Sequence, residues 1–438
     1  MTKEEKYNLA LWAMKHALNK GAQQAGVTIY NSIGSNMEVR KNKIDTLKQA
    51  IQNNLTIRLY VDNKYSVHST NRLKKNELKK FIENAISGTK YLTEDKFRSL
   101  PDPKLYYKGN SENLYTLDQE FNNHETKQKI DLAFQAEKEA FGKDDRIISV
   151  TAGYYDSLNE KVLVTSNGFR GDSGKSYYGL SASVSVKGGD ARPESYWSES
   201  AIFLNKLEKK GIGDKALHRA LRKIGQQKIP SDRMPMIIEN RQVSRIFSPL
   251  ISALNGSAIQ QKNSFLIDKK GEKVFSEKLT IEDDPFIISG RGSRLFDSEG
   301  LATEKRMVIE NGVVTNYYID TYYAKKLDMK PTNGSTGNLV FNTGDKNMES
   351  LIRSVDKGIL VTGFNGGNCN GATGDFSYGI DGLLIEKGEL TQPVSEMNIT
   401  GNMKELWSNI IETGNDVYDN SAWLTPSILF DEVNFSGT

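Results

Sequence analysis

MVIENGVVTNYYI, residues 307–319, sets the class of the C-terminal half. Met307–Ile309 and Val313–Ile319 are apolar, β-branched runs, and Glu310-Asn311-Gly312-Val313 joins them. An Asn-Gly pair supplies the positive φ that a two-residue hairpin turn demands, because Gly lacks the Cβ that would clash there. Glu386-Lys387-Gly388-Glu389 repeats the device between two further strands. Upstream, Met236–Glu239 reads as a short strand and Arg241–Leu254 as a helix, and almost everything beyond is strand and turn. The C-terminal part is therefore expected to be mainly β and barrel-like.

The N-terminal part has a different rhythm. Leu9, Trp12, Ala13, His16 and Ala17 recur at helical spacing and predict a helix over 4–25. Val27–Ser32, Met37–Arg40, Leu55–Asp62 and Tyr65–Thr70 follow as short strands of an antiparallel meander, then Lys74–Ile86 as a helix. From about Glu94 to Phe121, Pro101, Pro103, a Tyr-Tyr pair and several Asn break any period, which predicts a long surface connection. A helix over Glu125–Phe141, strands at Ile147–Tyr155, Lys161–Ser166 and Tyr177–Val186, and a helix over Asp214–Gln226 complete this part. The expected class is α+β: an N-terminal α+β domain with an antiparallel sheet over 1–230, with a possible break near 94–121, and a mainly-β domain over 231–438.

With 438 residues, 37% hydrophobic and 26% charged, the chain has a globular composition, too long for one ordinary core. No run approaches the ~18 apolar residues that span a bilayer. The opening MTKEEKYNLALW has no signal-peptide core, and Cys369 is the sole cysteine, so the expected compartment is the cytoplasm. The 58 basic and 55 acidic residues nearly cancel. The densest basic stretch, His218, Arg219, Arg222, Lys223, Lys228 and Arg233, reads as the solvated face of a helix, so nucleic acid is not an expected partner.

Candidate chemistry is sparse. His16, His68, His124 and His218 stand far apart, so no pair has zinc-helix spacing. Cys369 has no His or Cys near it in sequence. Seven of the residues in 363–382 are glycine, interleaved with Asn, Asp and aromatic residues. That segment reads as turns between strands, or as exposed backbone against which a peptide or subunit docks, with a phosphate loop the weakest option because no Gly-Lys-Ser/Thr follows. Glu282-Asp283-Asp284-Pro285 with Asp297 and Glu299 could hold a hard cation, but reads more simply as turn chemistry. No catalytic metal site or nucleophile is recognisable.

Taken in order, NSFLIDKKGEKVFSEKLTIEDDP (263–285), RLFDSEGLATEKRMVIENGVVTNYYID (294–320) and GATGDFSYGIDGLLIEKGELTQPVSEMNITGN (371–402) resemble the TldD/PmbA family, which also carries the label of DNA gyrase modulator. MEVRKNKIDTLKQA (37–50) and NLTIRLYVDNKYSVHST (54–70) extend the resemblance over most of the chain. In that family, TldD-type chains carry a His-Glu-x-x-x-His zinc motif before the SFL-like block and a late cysteine. TldE (PmbA)-type chains lack the motif and pair with TldD in a peptidase acting on unfolded or small peptides.

Counted back from Ser264, the zinc window falls on 247–252: Phe247 and Ser252 stand in place of the two His and Ser248 in place of the Glu. The late-cysteine region, NDVYDNSAWLTPSI (415–428), has none. Phe cannot ligate, and neutral Ser is a poor substitute for imidazole or for a general base. Ile246, Phe247, Leu250 and Leu254 instead share one helix face. The resemblance thus implies a TldE/PmbA-like, metal-free, cofactor-free and non-catalytic subunit of a metallopeptidase complex. Its partners would be a TldD-like catalytic subunit or a second copy, plus a peptide substrate, with Gly366, Gly367, Asn368, Gly374 and Asp375 as candidate contacts. The alternatives are a stand-alone hydrolase using Cys369 or the 282–299 carboxylates, and a regulatory protein of the kind the gyrase label suggests.

Overall fold

The computed structural model describes residues 1–109 and 112–437. A capping box formed by Thr2 and Glu5 starts α1 (Lys3–Asn19). Strands β1 (Gln24–Arg40), β2 (Lys43–Val61) and β3 (Lys64–Thr70) then form the expected meander, and α2 (Lys75–Thr89) follows. After α3 (Thr126–Ala140) come β4 (Ile147–Thr165), β5 (Arg170–Val186), β6 (Glu194–Ala201) and α4 (Ile212–Leu221). The six strands make one antiparallel sheet in the order β3-β2-β1-β4-β5-β6.

The strands are longer than the sequence predicts. Val27–Ser32 and Met37–Arg40 are one strand of 17 residues, about 55 Å long. The polar Gly34-Ser35-Asn36 stretch between them stays extended because β2 and β4 pair it on both sides. Ser35 N–H donates to the fully buried Asp156 carboxylate at 2.9 Å, and Lys129 pairs with the same carboxylate at 2.6 Å. The segments at Ile147–Tyr155 and Lys161–Ser166 merge into β4 in the same way. Even-numbered residues of β4, from Val150 to Val164, face the helices throughout. The α1/α2 pair covers one end of that face and α3/α4 the other.

The 94–121 stretch is not a free surface connection, although it has little regular structure; Asn110 and Ser111 within it lie outside the described residues. Leu100, Tyr106, Leu114 and Phe121 are buried, Tyr106 bridges to Leu301, and Tyr322 donates to Asp95 at 2.7 Å. The stretch therefore straps the sheet to the second half of the chain.

That half begins with β7 (Asp232–Ile238), α5 (Val243–Ala253) and α6 (Gly256–Gln260). Next come β8 (Ile281–Asp284), β9 (Arg306–Glu310), β10 (Val313–Val314), α7 (Thr321–Leu327), β11 (Asn338–Phe341) and α8 (Met348–Arg353). The chain ends with β12 (Lys357–Phe364), β13 (Asn368–Cys369), β14 (Asp375–Glu386), β15 (Glu389–Asn402), α9 (Met403–Ser408), β16 (Ile410–Thr413), β17 (Trp423–Leu424) and β18 (Ile428–Ser436). Four short helices thus interrupt a region expected to be almost entirely strand and turn. All four have Asn or Asp side chains as N-caps, a local signal outweighed in the sequence by the strand-like runs around them.

Pairings β12–β7, β7–β18, β18–β15, β15–β14 and β14–β12 close a five-stranded barrel, parallel only between β12 and β7. Side chains alternate strictly: Met236, Ile238, Ile359, Val361, Ile428 and Phe430 join one core, while Ile237, Leu360 and Leu429 join another beneath α8. A second sheet runs β10-β9-β8-β11-β17. Asn311 and Gly312 sit at φ 47° and 79°, as the hairpin requires, although strand pairing ends at Val314 rather than continuing to Ile319. Lys387 and Gly388 make the corresponding turn between β14 and β15.

Where α3 crosses α4, a Cβ on Gly213 would lie 2.1 Å from the Ala136 carbonyl oxygen. Gly213→Ala is therefore expected to destabilise the protein by about 1–3 kcal/mol through overpacking. In urea unfolding the midpoint should fall while the slope is unchanged.

Candidate functional site

Helix α5 lies between the barrel and the second sheet, and its apolar stripe decides which residues reach solvent. Val243, Ile246, Phe247 and Leu250 are buried in a core shared by β7, β11, β12, β14, β15 and β18. Phe247 sits at its centre, with ring centroids 4.8 Å from Phe341, 5.3 Å from Trp407 and 5.5 Å from Trp423, all edge to face. Ser248 and Ser252 are exposed on the opposite side, where Ser252 Oγ donates to the Ser248 carbonyl at 3.0 Å. The zinc-window positions therefore do not converge on a common point: one is sealed in aromatic core and two face outward. The donor set does not fit a zinc ion. Among the described residues, no group of three or more His, Cys, Asp and Glu is placed to hold a metal ion.

The outward face of α5 lies beside the glycine-rich segment. Arg245, one turn before Ser248, donates to the Gly367 carbonyl at 3.3 Å and stands 5.2 Å over the Tyr378 ring. Asn368 and Cys369 pair with Ser377 and Phe376, and among the described residues no strand pairs with the other edge of β13. Gly366 and Gly367 have φ of 118° and 90°, and a Cβ on Gly367 would meet the Ser377 carbonyl oxygen at 2.1 Å. Here glycine is required by close backbone approach.

Of the candidate contacts, Gly366, Gly367, Asn368 and Asp375 are exposed, whereas Gly374 is buried against the Phe265 ring. Asp375 accepts from Thr373 Oγ1 at 2.7 Å and Asn402 Nδ2 at 2.9 Å, which fixes the bend. Those hydrogen bonds hold its carboxyl below the usual range.

Cys369 is half-buried at this bend, its Sγ 3.7 Å from the Asn370 carbonyl. Burial, with the Asp375 charge adding to it, pushes the thiol up to about 11, so it stays protonated and weakly nucleophilic at neutral pH. The 282–299 carboxylates do not converge either. Glu282 and Asp284 share Lys305 at 2.8 and 3.1 Å, while Asp283 pairs with Arg306 at 3.3 Å. Asp297 accepts from the N–H groups of Glu299 and Leu301, and Glu299 from that of Thr321. The first three are held by ion pairs and the last two by turn and cap hydrogen bonds.

One feature escaped sequence reasoning. The basic stretch from 218 is a solvated face only in part: His218, Arg222, Lys228 and Arg233 are exposed, but Arg219 makes a two-pronged pair with Glu239 at 2.6 and 2.7 Å, and Lys223 pairs with Asp381 at 3.1 Å. With Arg241 stacked 3.5 Å over Trp197, these side chains line a pocket of about 220 Å³ between the six-stranded sheet and the start of the glycine-rich segment. Partners so distant in sequence leave no periodic signal.

The comparisons with known proteins agree along the whole chain. Residues 25–88 match PmbA/TldA metallopeptidase domain 1, 120–224 the PmbA/TldA metallopeptidase central domain, and 231–437 the PmbA/TldA metallopeptidase C-terminal domain. The chain is 30% identical over 418 residues to the metalloprotease PmbA homolog of Buchnera aphidicola, covering 94% of this chain and 92% of that one. It is 27% identical over 419 residues to the metalloprotease PmbA of Escherichia coli O157:H7, with the same shares covered. A crystal structure from Bacteroides thetaiotaomicron, described as a candidate modulator of DNA gyrase, superposes with a TM-score of 0.98 at 49% identity and covers both chains fully. TldE from Thermococcus kodakarensis shares the fold, with a TM-score of 0.87 at 23% identity over 98% of this chain and 99% of that one.

Two outcomes are expected. Phe247→Ala should cost about 3–5 kcal/mol of stability, measured by chemical denaturation, because it empties the centre of the aromatic cluster. Alkylation of Cys369 by iodoacetamide should be slow at pH 7.5 and accelerate as pH rises toward about 11, since only the thiolate reacts.

Proposed function

The chain belongs to the PmbA/TldD metallopeptidase family, and on that premise we propose that it is a TldE/PmbA-like subunit of a TldD/TldE-type peptidase complex, metal-free and non-catalytic by itself. The observation that carries the reading is Phe247. Where a TldD-type chain would hold its first zinc ligand, this chain has a ring locked in apolar core. In this role residues 231–438 complete the partner's chamber, and residues 1–230 bear the six-stranded sheet strapped to it.

Two surfaces support the reading. The edge of β13 that no described strand covers, with exposed Gly366, Gly367 and Asn368, offers backbone groups to an extended peptide, the strand-addition mode of recognition. Strand β2 has β3 beside it only from Leu55 to Val61, and its free part exposes Ile44, Leu47 and Ile51. Exposed apolar residues on an open edge suit burial against another subunit. The stand-alone hydrolase is weakened by the protonated Cys369 and the locally paired carboxylates.

Mixing the purified chain with a TldD-type partner and assaying cleavage of a short unfolded peptide tests the proposal. Alone, the chain should retain no stoichiometric zinc after dialysis and should cleave nothing. Added to the partner, it should co-elute on size exclusion and change the cleavage rate at least severalfold. A chain that neither associates nor alters cleavage would end this reading.

A further inference from the structure

A cleft of about 1130 Å³ opens between the six-stranded sheet and the loop that follows β8. Its floor is the sheet face turned away from the helices. Lys161 of β4 and Lys175 of β5 project from that face as diagonal neighbours, Lys161 lying opposite Ser173 and Lys175 opposite Asn159. Arg291 and Arg294 close over them from the loop.

None of these four cations lies within ion-pair distance of a carboxylate among the described residues. Lys161 meets the face of Phe296, 5.4 Å away, and Lys175 donates to the Arg291 carbonyl. Arg294 donates to the carbonyls of Thr336 and Ser335 at 2.6 and 2.7 Å, leaving its Nε buried without a partner. Arg291 reaches the Ser200 carbonyl and Asn420 Oδ1, and its Nη1 is likewise buried and unpartnered. Of the acidic groups nearby, Glu160 pairs with Lys6 at 2.7 Å, Asp172 with Lys3 at 2.8 Å and Asp283 with Arg306 at 3.3 Å, and Asp118 accepts from Tyr178 at 2.9 Å. Asp297 accepts from backbone N–H groups and Asn333, while its charge reaches Lys161 and Arg294, and Glu112 also lines the cleft. Burial, reinforced by the other cations, holds Lys161 below its ordinary value and brings Lys175 down to about 8. Partly buried cations are normally paired, because each lost hydration must be replaced.

We propose that this cleft is an anion-binding site that seats the carboxylate or phosphate group of a small organic ligand among Lys161, Lys175, Arg291 and Arg294. The planar guanidinium forks suit either oxyanion, and the two lysines add point charges beneath it. The remaining volume, walled in part by Phe296 and Leu295, accommodates the ligand's uncharged body. The site is independent of any partner subunit, so its fate is separate from that of the proposed complex.

Isothermal titration of the full chain alone, in about 0.15 M salt to screen loose surface attraction, tests this with three probes. They are inorganic pyrophosphate, the tripeptide Ala-Ala-Phe with a free carboxylate, and the same tripeptide as its C-terminal amide. Pyrophosphate or the free-acid peptide should bind with a Kd below millimolar, and whichever binds more tightly assigns the ligand class. The amide should bind at least tenfold more weakly than the free acid wherever the acid binds, and Lys161→Gln/Lys175→Gln should weaken binding at least tenfold. Because the double change relieves repulsion between like charges, the variant's Tm without ligand should not fall. If it does, Lys161→Met alone replaces it. Failure of both anions to bind the unaltered chain, or equal binding by a folded variant, overturns the proposal.

Discussion

The seat of Phe247 is the contact on which the second half of the molecule depends. Its ring touches Phe341 of β11, Trp407 of α9 and Trp423 just after the long final loops, three elements that no local sequence signal brings together. Through it the five-stranded barrel and the second sheet share one core. Aromatic rings bury large areas in fixed edge-to-face geometry, so the rotation of α5 about its own axis is fixed with them. Once that rotation is set, Arg245, Ser248 and Ser252 face solvent beside the glycine-rich segment. Core packing and the character of the candidate site are thus consequences of one side chain.

Fold class was readable in the sequence where chemistry is local. Asn311-Gly312 and Lys387-Gly388 need positive φ, and the chain turns there. Helices α2, α3 and α5 follow from their apolar stripes to within a few residues. What could not be read was anything decided by neighbours in space. Gly34-Ser35-Asn36 has turn composition yet continues a strand, because strands on both sides satisfy its backbone and a buried Asp156 receives the Ser35 N–H. The stretch around Pro101 and Pro103 has loop composition yet buries Leu100 and Tyr106 against the other half of the chain.

The candidate site divides in the same way. That no histidine pair or cysteine cluster exists is a property of the one-dimensional chain, and the resemblance turned it into a statement about 247–252. The structure adds that these positions lie on opposite sides of α5, which spacing alone does not reveal. Within 363–382, glycine content predicted close backbone approach, and Gly367 against Ser377 is such an approach. Which glycines are reachable was not legible: Gly374 lies under Phe265, and only the fold puts it there.

The two faces of the six-stranded sheet explain why the remaining polar chemistry gathers where it does. One face is apolar and roofed by four helices, and its buried Lys129 and Asp156 neutralise each other at 2.6 Å. The opposite face carries Lys161 and Lys175, and the loop after β8 descends on it without bringing a carboxylate within ion-pair distance of either. Ion pairs elsewhere in the molecule form readily across equally distant elements, as Arg219–Glu239 and Lys223–Asp381 do. The chain therefore has no shortage of acids with which to pair buried cations. Four that stand beyond ion-pair distance of any described carboxylate around one cleft are the ground for placing the balancing negative charge outside the polypeptide.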